Sequence, residues 1–80
     1  MKARIKIMLK NGVLDPQGEA IKHALNNIGF ESVNGVRQGK VIELDIDGSD
    51  KSQVRSQIEN MCNKMLANAV IENFEIELLS

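Results

Sequence analysis

Apolar and polar positions alternate strictly from Lys2 to Lys10. Ala3, Ile5, Ile7 and Leu9 share one face; Lys2, Arg4, Lys6, Met8 and Lys10 share the other. A period of two predicts a half-buried strand. After Asp15 the period lengthens. Ala20, Ile21, Ala24, Leu25 and Ile28 fall on one helical stripe, and Gly29 is placed to stop it. Phe30 to Arg37 predicts a weaker second strand, interrupted by Gly35, a residue that marks bulges and edges. Gln38-Gly39 reads as a short hairpin turn. Lys40 to Asp47 alternates again, with Ile42, Leu44 and Ile46 inward and Glu43, Asp45 and Asp47 outward. Asp50 caps a second helix, with Gln53 three residues on as its capping-box partner. Its expected buried stripe is Val54, Ile58, Met61, Cys62, Met65 and Leu66, and Asn68 is its expected left-handed terminator. Val70 to Leu79 closes the chain as a strand carrying Val70, Phe74, Ile76 and Leu78 on one face.

The element order is β-α-β-β-α-β. An antiparallel four-stranded sheet with both helices on one face is the simplest α+β solution. Charge selects the strand order. The outer face of the first strand is basic, whereas those of the third and fourth are acidic. Setting the basic strand between the two acidic ones pairs opposite charges across both ladders, each pair contributing about 0.2–1 kcal/mol. The order 4-1-3-2, the ferredoxin-like arrangement, does this. It leaves the second strand on an open edge, which favours pairing with another copy, so a homodimer or higher homo-oligomer is expected.

Length bounds the core. Eighty residues form one domain, spanning 1–80. A chain of this size buries roughly 60% of its unfolded surface, so oligomerisation would help it. With no Trp or Tyr and two Phe, the core must be built from Leu, Ile, Val and Met. The net charge of −1 argues against a nucleic-acid or membrane surface held by bulk charge. No apolar run is long enough for a signal peptide or a transmembrane span. A single cysteine forms no internal disulfide, which points to a reducing, cytoplasmic setting.

One stretch departs from ordinary grammar. In Gly12-Val13-Leu14-Asp15-Pro16-Gln17-Gly18, Asp15 is a natural N-cap and Pro16 a natural first helical residue. Gly18 is neither, and inside a first turn it costs about 1 kcal/mol against Ala. The bare backbone around this helix start fits a partner loop, an anion held by N–H groups, or a tight turn that uses glycine. Elsewhere the candidate chemistry is thin. His23 lies opposite the apolar stripe of its helix, as a solvated histidine would. Cys62 lies within a buried stripe, as an inert core thiol would. Glu43, Asp45 and Asp47 read as a solvated strand face opposite the basic strand, not as converging metal ligands. An RNA-binding sheet of this topology would present stacking aromatics where Arg4, Lys6, Glu43 and Asp45 stand. An acylphosphatase would need an arginine in the first strand-to-helix loop, which reads Asn-Gly-Val-Leu-Asp. The residues describe a binding or assembly module with no catalytic, metal or cofactor site of its own.

Several stretches together resemble a known family. Gly12 to Gly18, Phe30, Val36-Arg37-Gln38-Gly39-Lys40, Ile42-Glu43-Leu44, Cys62, Leu66-Ala67-Asn68 and Val70-Ile71-Glu72 look like the small subunits of phosphoribosylformylglycinamidine synthase, the PurS family. Ala69 stands where the family usually has proline, and Phe74 where it often has tyrosine. The resemblance implies a non-catalytic dimeric adaptor of purine synthesis. In the complete enzyme a glutaminase subunit releases ammonia. A large synthetase subunit uses ATP and magnesium to convert formylglycinamide ribonucleotide to the amidine. The alternative is a small regulatory ligand-binding domain of the same topology. In the adaptor reading Gly12, Val13, Leu14, Asp15, Pro16, Gln17 and Gly18, with Arg37 and Lys40, form the contact with the larger subunits. The glycines permit close approach, and Arg37 can hold a carboxylate with two donors. Replacing Gly18 by Leu is then expected to harm assembly more than folding.

Overall fold

A computed structural model describes residues 1–79. Strand β1 (Lys2–Leu9) is central, flanked by β2 (Gly39–Asp45) and β3 (Glu72–Leu78), both antiparallel to it. Helix α1 (Pro16–Asn27) follows β1, and helix α2 (Lys51–Met61) follows β2. The basic strand therefore lies between the acidic ones, as the charge pattern required. Arg4 faces Glu43 on one side at 3.9 Å and Glu77 on the other at 3.8 Å. These pairs are solvent-exposed, so each contributes at most about 1 kcal/mol and serves mainly to fix the register.

The sheet has three strands among the described residues, not four. The segment expected as the second strand, Phe30 to Arg37, is a turn followed by irregular chain. Its polar groups are spent otherwise: the Val33 N–H donates to the Phe30 carbonyl at 3.4 Å, and Arg37 Nη2 donates to the Leu9 carbonyl. With Ser32, Asn34 and Gly35 in its centre, it has too little apolar alternation to hold a ladder. Gly39 is not a hairpin residue either. It opens β2 and pairs with Met8.

Both helix starts follow their sequence signals. The Asp15 carboxylate accepts from the Gly18 N–H at 2.8 Å, and the Asp50 carboxylate from the N–H groups of Ser52 at 3.0 Å and Gln53 at 3.4 Å. Helix α1 ends as its sequence predicts. Gly29 takes φ +112°, a conformation that favours glycine, while its N–H reaches the Asn26 carbonyl and that of Phe30 reaches the Leu25 carbonyl. This is a Schellman closure.

The core lies between the inner face of the sheet and α2: Ala3, Ile5 and Ile7 against Val54, Ile58 and Cys62, closed by Ala67. Met61 and Met65, expected in that stripe, are outside it, 37% and 79% exposed. Met61 sits at the margin of the stripe at the end of α2, and for Met65 the reason is a change of helical pitch. Past Met61 the chain continues as a π-helical turn over Cys62–Leu66, closed by the Ala67 N–H on the Cys62 carbonyl at 3.0 Å. The wider turn keeps Cys62 inside and rotates Met65 out. Val70 is likewise displaced from β3 into the preceding turn, 81% exposed. That turn is organised by Asn68, whose side-chain oxygen accepts from the Val70 N–H and whose carbonyl accepts from Ile71 and Glu72.

The expectation that both helices cover the sheet fails for α1. It has no extended packing interface with the strands or with α2, and Gly18 is its sole buried residue. Ile21, Ile28, Phe30 and, just before the helix, Leu14 are exposed. The chain is correspondingly drawn out, 49 × 25 × 14 Å, with a radius of gyration of 16.1 Å. A compact chain of this length would have a radius of about 12 Å. An amphipathic stripe requires a partner surface, and here its own sheet does not supply it.

Burial also settles the chemistry of Cys62. Its side chain is fully enclosed, and desolvation, helped by the nearby Glu59 charge, pushes the thiol above its usual range. A thiol reagent is therefore expected to label the native protein on the order of a hundredfold more slowly than the denatured chain. Rapid labelling of the native protein, followed by mass spectrometry, would contradict the packing around Cys62.

Candidate functional site

The loop between β1 and α1 and the segment leading into β2 meet at one carboxylate. Asp15 Oδ1 accepts from the Gly18 N–H at 2.8 Å, and Oδ2 accepts from the Gln38 N–H at 2.9 Å. One oxygen thus caps α1 while the other holds the chain 23 residues later. The Gln38 and Gly18 N–H groups hold this carboxyl below the usual aspartate range, with a smaller contribution from the Arg37 guanidinium. Asp15 is therefore an anion at neutral pH and keeps both acceptors.

Gly18 lies directly beneath this junction. A Cβ built on it would stand 2.3 Å from the Val36 carbonyl oxygen and 2.8 Å from Asp15 Oδ2. The glycine is explained by the close approach of the chain's own 36–38 segment. The N–H group expected to be free for a partner's carboxylate is already taken by Asp15. Val36, Gln38 and the Leu9 carbonyl, which complete the junction, act through their backbones, so their side chains gave no sign of it.

The remaining nominated residues gather around this junction. Asp15, Pro16, Gln17 and Lys40 line a cleft of about 290 Å³ together with Ile7, Leu9 and Glu72. Lys40 pairs with Ile7, which puts it on the inner side of the sheet. Gly12, Val13, Leu14, Asp15 and Arg37 line a neighbouring groove that also includes Leu9 and Val36. Leu9 and Asp15 are common to both. Arg37 is tethered through one nitrogen to the Leu9 carbonyl, so its first role is to hold the 30–38 segment against the end of β1. The structure brings eight of the nine residues expected at the contact around two adjoining depressions; the ninth, Gly18, is buried and lines neither.

No cluster of three or more His, Cys, Asp or Glu positioned to hold a metal ion occurs among the described residues. His23 is exposed and approaches Glu19 at 4.0 Å on the outer side of α1. No helix among the described residues is long and apolar enough to cross a membrane.

Comparison with known proteins places the geometry in context. Residues 2–80 match the profile of the PurS family, phosphoribosylformylglycinamidine (FGAM) synthase. The chain is 43% identical over 77 residues to the phosphoribosylformylglycinamidine synthase subunit PurS of Methanocaldococcus jannaschii, covering 96% of this chain and 93% of that one. Among solved structures, Bacillus subtilis PurS superposes with a TM-score of 0.86 at 43% identity, covering 95% of this chain and 94% of that one. A chain of PurLQS from Thermotoga maritima superposes with a TM-score of 0.86 at 29% identity, covering 95% and 93%.

Proposed function

Because this chain belongs to the PurS family, we propose that it serves as the small, non-catalytic subunit of phosphoribosylformylglycinamidine synthase in purine biosynthesis. The observation that carries this is the family match over nearly the whole chain. In this reading residues 1–80 act as one PurS-like domain. The chain joins a glutaminase subunit and a large synthetase subunit in a cytoplasmic complex, so that ammonia passes from one to the other. ATP and magnesium belong to the synthetase.

Two surfaces serve the assembly. The exposed rim of the Asp15 junction, comprising Gly12, Val13, Leu14, Pro16, Gln17, Arg37 and Lys40, meets the larger subunits, with Asp15 and Gly18 supporting it from beneath. Leu14 is 75% exposed here, and a bulky apolar residue at the mouth of a groove makes a natural anchor. The apolar side of α1 meets a second copy of the chain. Support comes from its separation from its own sheet and from the half-buried Ile42 and Leu44 on β2, with Ile46 just past its end, that α1 leaves open.

Reconstitution tests the reading. With purified glutaminase and synthetase subunits, adding this chain is expected to establish glutamine-dependent turnover, while ammonia-dependent turnover by the synthetase needs it far less. Leu14→Ser with Gln17→Glu is expected to raise the concentration of chain needed for half-maximal glutamine-dependent rate by about tenfold or more, the loss of one good anchor. Glutamine-dependent turnover independent of this chain would overturn the adaptor role. An unchanged requirement in the double variant would move the contact elsewhere.

A further inference from the structure

We propose that Asp15 is a positioning residue for assembly: by tying the first turn of α1 to the entry of β2, it fixes the direction in which α1 leaves the sheet. The inference deepens the adaptor reading and rests on it.

Three observations converge. Asp15 uses both oxygens, one on Gly18 and one on Gln38, and so bridges two segments that also meet where the Val36 carbonyl closes on Gly18. The 30–38 segment has no strand ladder of its own, so Gln38 is where it is anchored before β2 begins. Arg37 adds a second tether to the Leu9 carbonyl at the end of β1. Helix α1 stands off the core, and beyond Gly18, which lies against the Val36 carbonyl in the same junction, it has no extended interface with the strands or α2 that would set its angle. Its orientation must therefore come from its two ends. The C-terminal end leads into irregular chain, which leaves the Asp15 junction to set it.

A helix cap alone needs one acceptor, whereas this geometry needs two on one side chain. Serine caps a helix about as well as aspartate, but it carries a single oxygen. Asp15→Ser therefore retains the bond to Gly18 and loses the one to Gln38. Gln38→Pro removes the same bond from the other partner, leaving the Asp15 side chain intact.

The test uses the full chain. Residual dipolar couplings report the angle of α1 to the sheet, amide exchange reports the Gly18 and Gln38 N–H groups, and titration into the glutaminase and synthetase subunits reports assembly. Asp15→Ser is expected to keep the helical signal and the Gly18 protection. It should lose protection at Gln38, spread the α1 couplings, and raise the half-saturating concentration about tenfold, as loss of a bond to a charged group predicts. The maximal rate at excess subunit should be restored, because a positioning residue touches no reacting atom. Gln38→Pro should reproduce the shift. If Asp15→Ser leaves the α1 couplings and the half-saturating concentration at wild-type values while Gln38 exchanges freely, Asp15 is a cap and the proposal fails. If Asp15→Ser instead melts α1, Gln38→Pro with wild-type couplings overturns it just as well. Wild-type chain that supports no glutamine-dependent turnover would overturn the adaptor reading, an outcome distinct from either, and the couplings would still judge the angle.

Discussion

A chain carrying Ile28→Asp and Phe30→Ser is expected to lose self-association while keeping its sheet. Ile28 is 71% exposed and Phe30 56% exposed in the single chain, at the end of a helix that contacts none of its own core extensively. Side chains of this size contribute about 1.5–3 kcal/mol each when they leave water. In a two-fold interface each residue counts twice, because the same patch is used by both copies. Removing both residues should therefore weaken association by several kcal/mol, on the order of a thousandfold or more. The buried core of Ala3, Ile5, Ile7, Val54, Ile58 and Cys62 lies elsewhere, so any fall in the thermal transition should equal the stabilisation lost with association and should vanish when the wild-type chain is diluted until it is monomeric. Sedimentation equilibrium of both proteins decides it. A double variant with wild-type mass across the micromolar range would show that α1 is not the face that copies share.

The same helix shows how far the sequence could be read. Its start, stop and stripe were all legible: Asp15, Pro16 and Gly29 do what capping chemistry says, and Ile21 and Ile28 share a face. What the stripe could not say was which chain would bury it. Hydrophobic periodicity reports that a face needs covering, and an intramolecular sheet is the default only because it is nearest. The strand order was legible for a different reason. Unlike charges on β1 and its two neighbours make one arrangement attractive and the others repulsive, and Arg4 meets both Glu43 and Glu77. Met65 was misplaced because the stripe was counted at 3.6 residues per turn, and a π turn breaks the count without any marker residue, whereas Met61, still within α2, sits at the margin of the stripe. Phe30 to Arg37 was misread as a strand although its apolar residues, Phe30, Val33 and Val36, stand three apart and do not alternate. Its backbone is held instead by a side chain far upstream, a contact that no local pattern encodes. At the site, Gly18 was visible as an anomaly, but its cause, the Val36 carbonyl, is a backbone atom and leaves no trace in residue types.

That carbonyl reverses the expectation for Gly18→Leu. Local propensity alone favours the substitution, since removing glycine from a helix gains about 1 kcal/mol. The space does not exist: the first carbon of any side chain would sit 2.3 Å from the Val36 oxygen and 2.8 Å from Asp15 Oδ2. The first obstacle is backbone, which cannot rotate away as a flexible side chain could. To admit leucine, the 36–38 segment must leave α1, and the Asp15 bond to Gln38 leaves with it. Overpacking of this kind costs about 1–3 kcal/mol before the lost hydrogen bond is counted, which outweighs the propensity gain. Damage should be local first. Amide protection at Gly18's successor residues and at Gln38 should fall to that of exposed chain, while β1, β3 and α2, held by Ile5, Ile7, Val54 and Ile58, keep most of theirs. Gly18→Ala should behave the same way, because the clash begins at Cβ. This separates packing from any effect of leucine's size on a partner. Complex formation should fail in both variants as a consequence of the displaced junction. If Gly18→Ala instead raises the thermal midpoint and leaves Gln38 protected, the segment yields easily, and the glycine is reserved for a partner's approach after all.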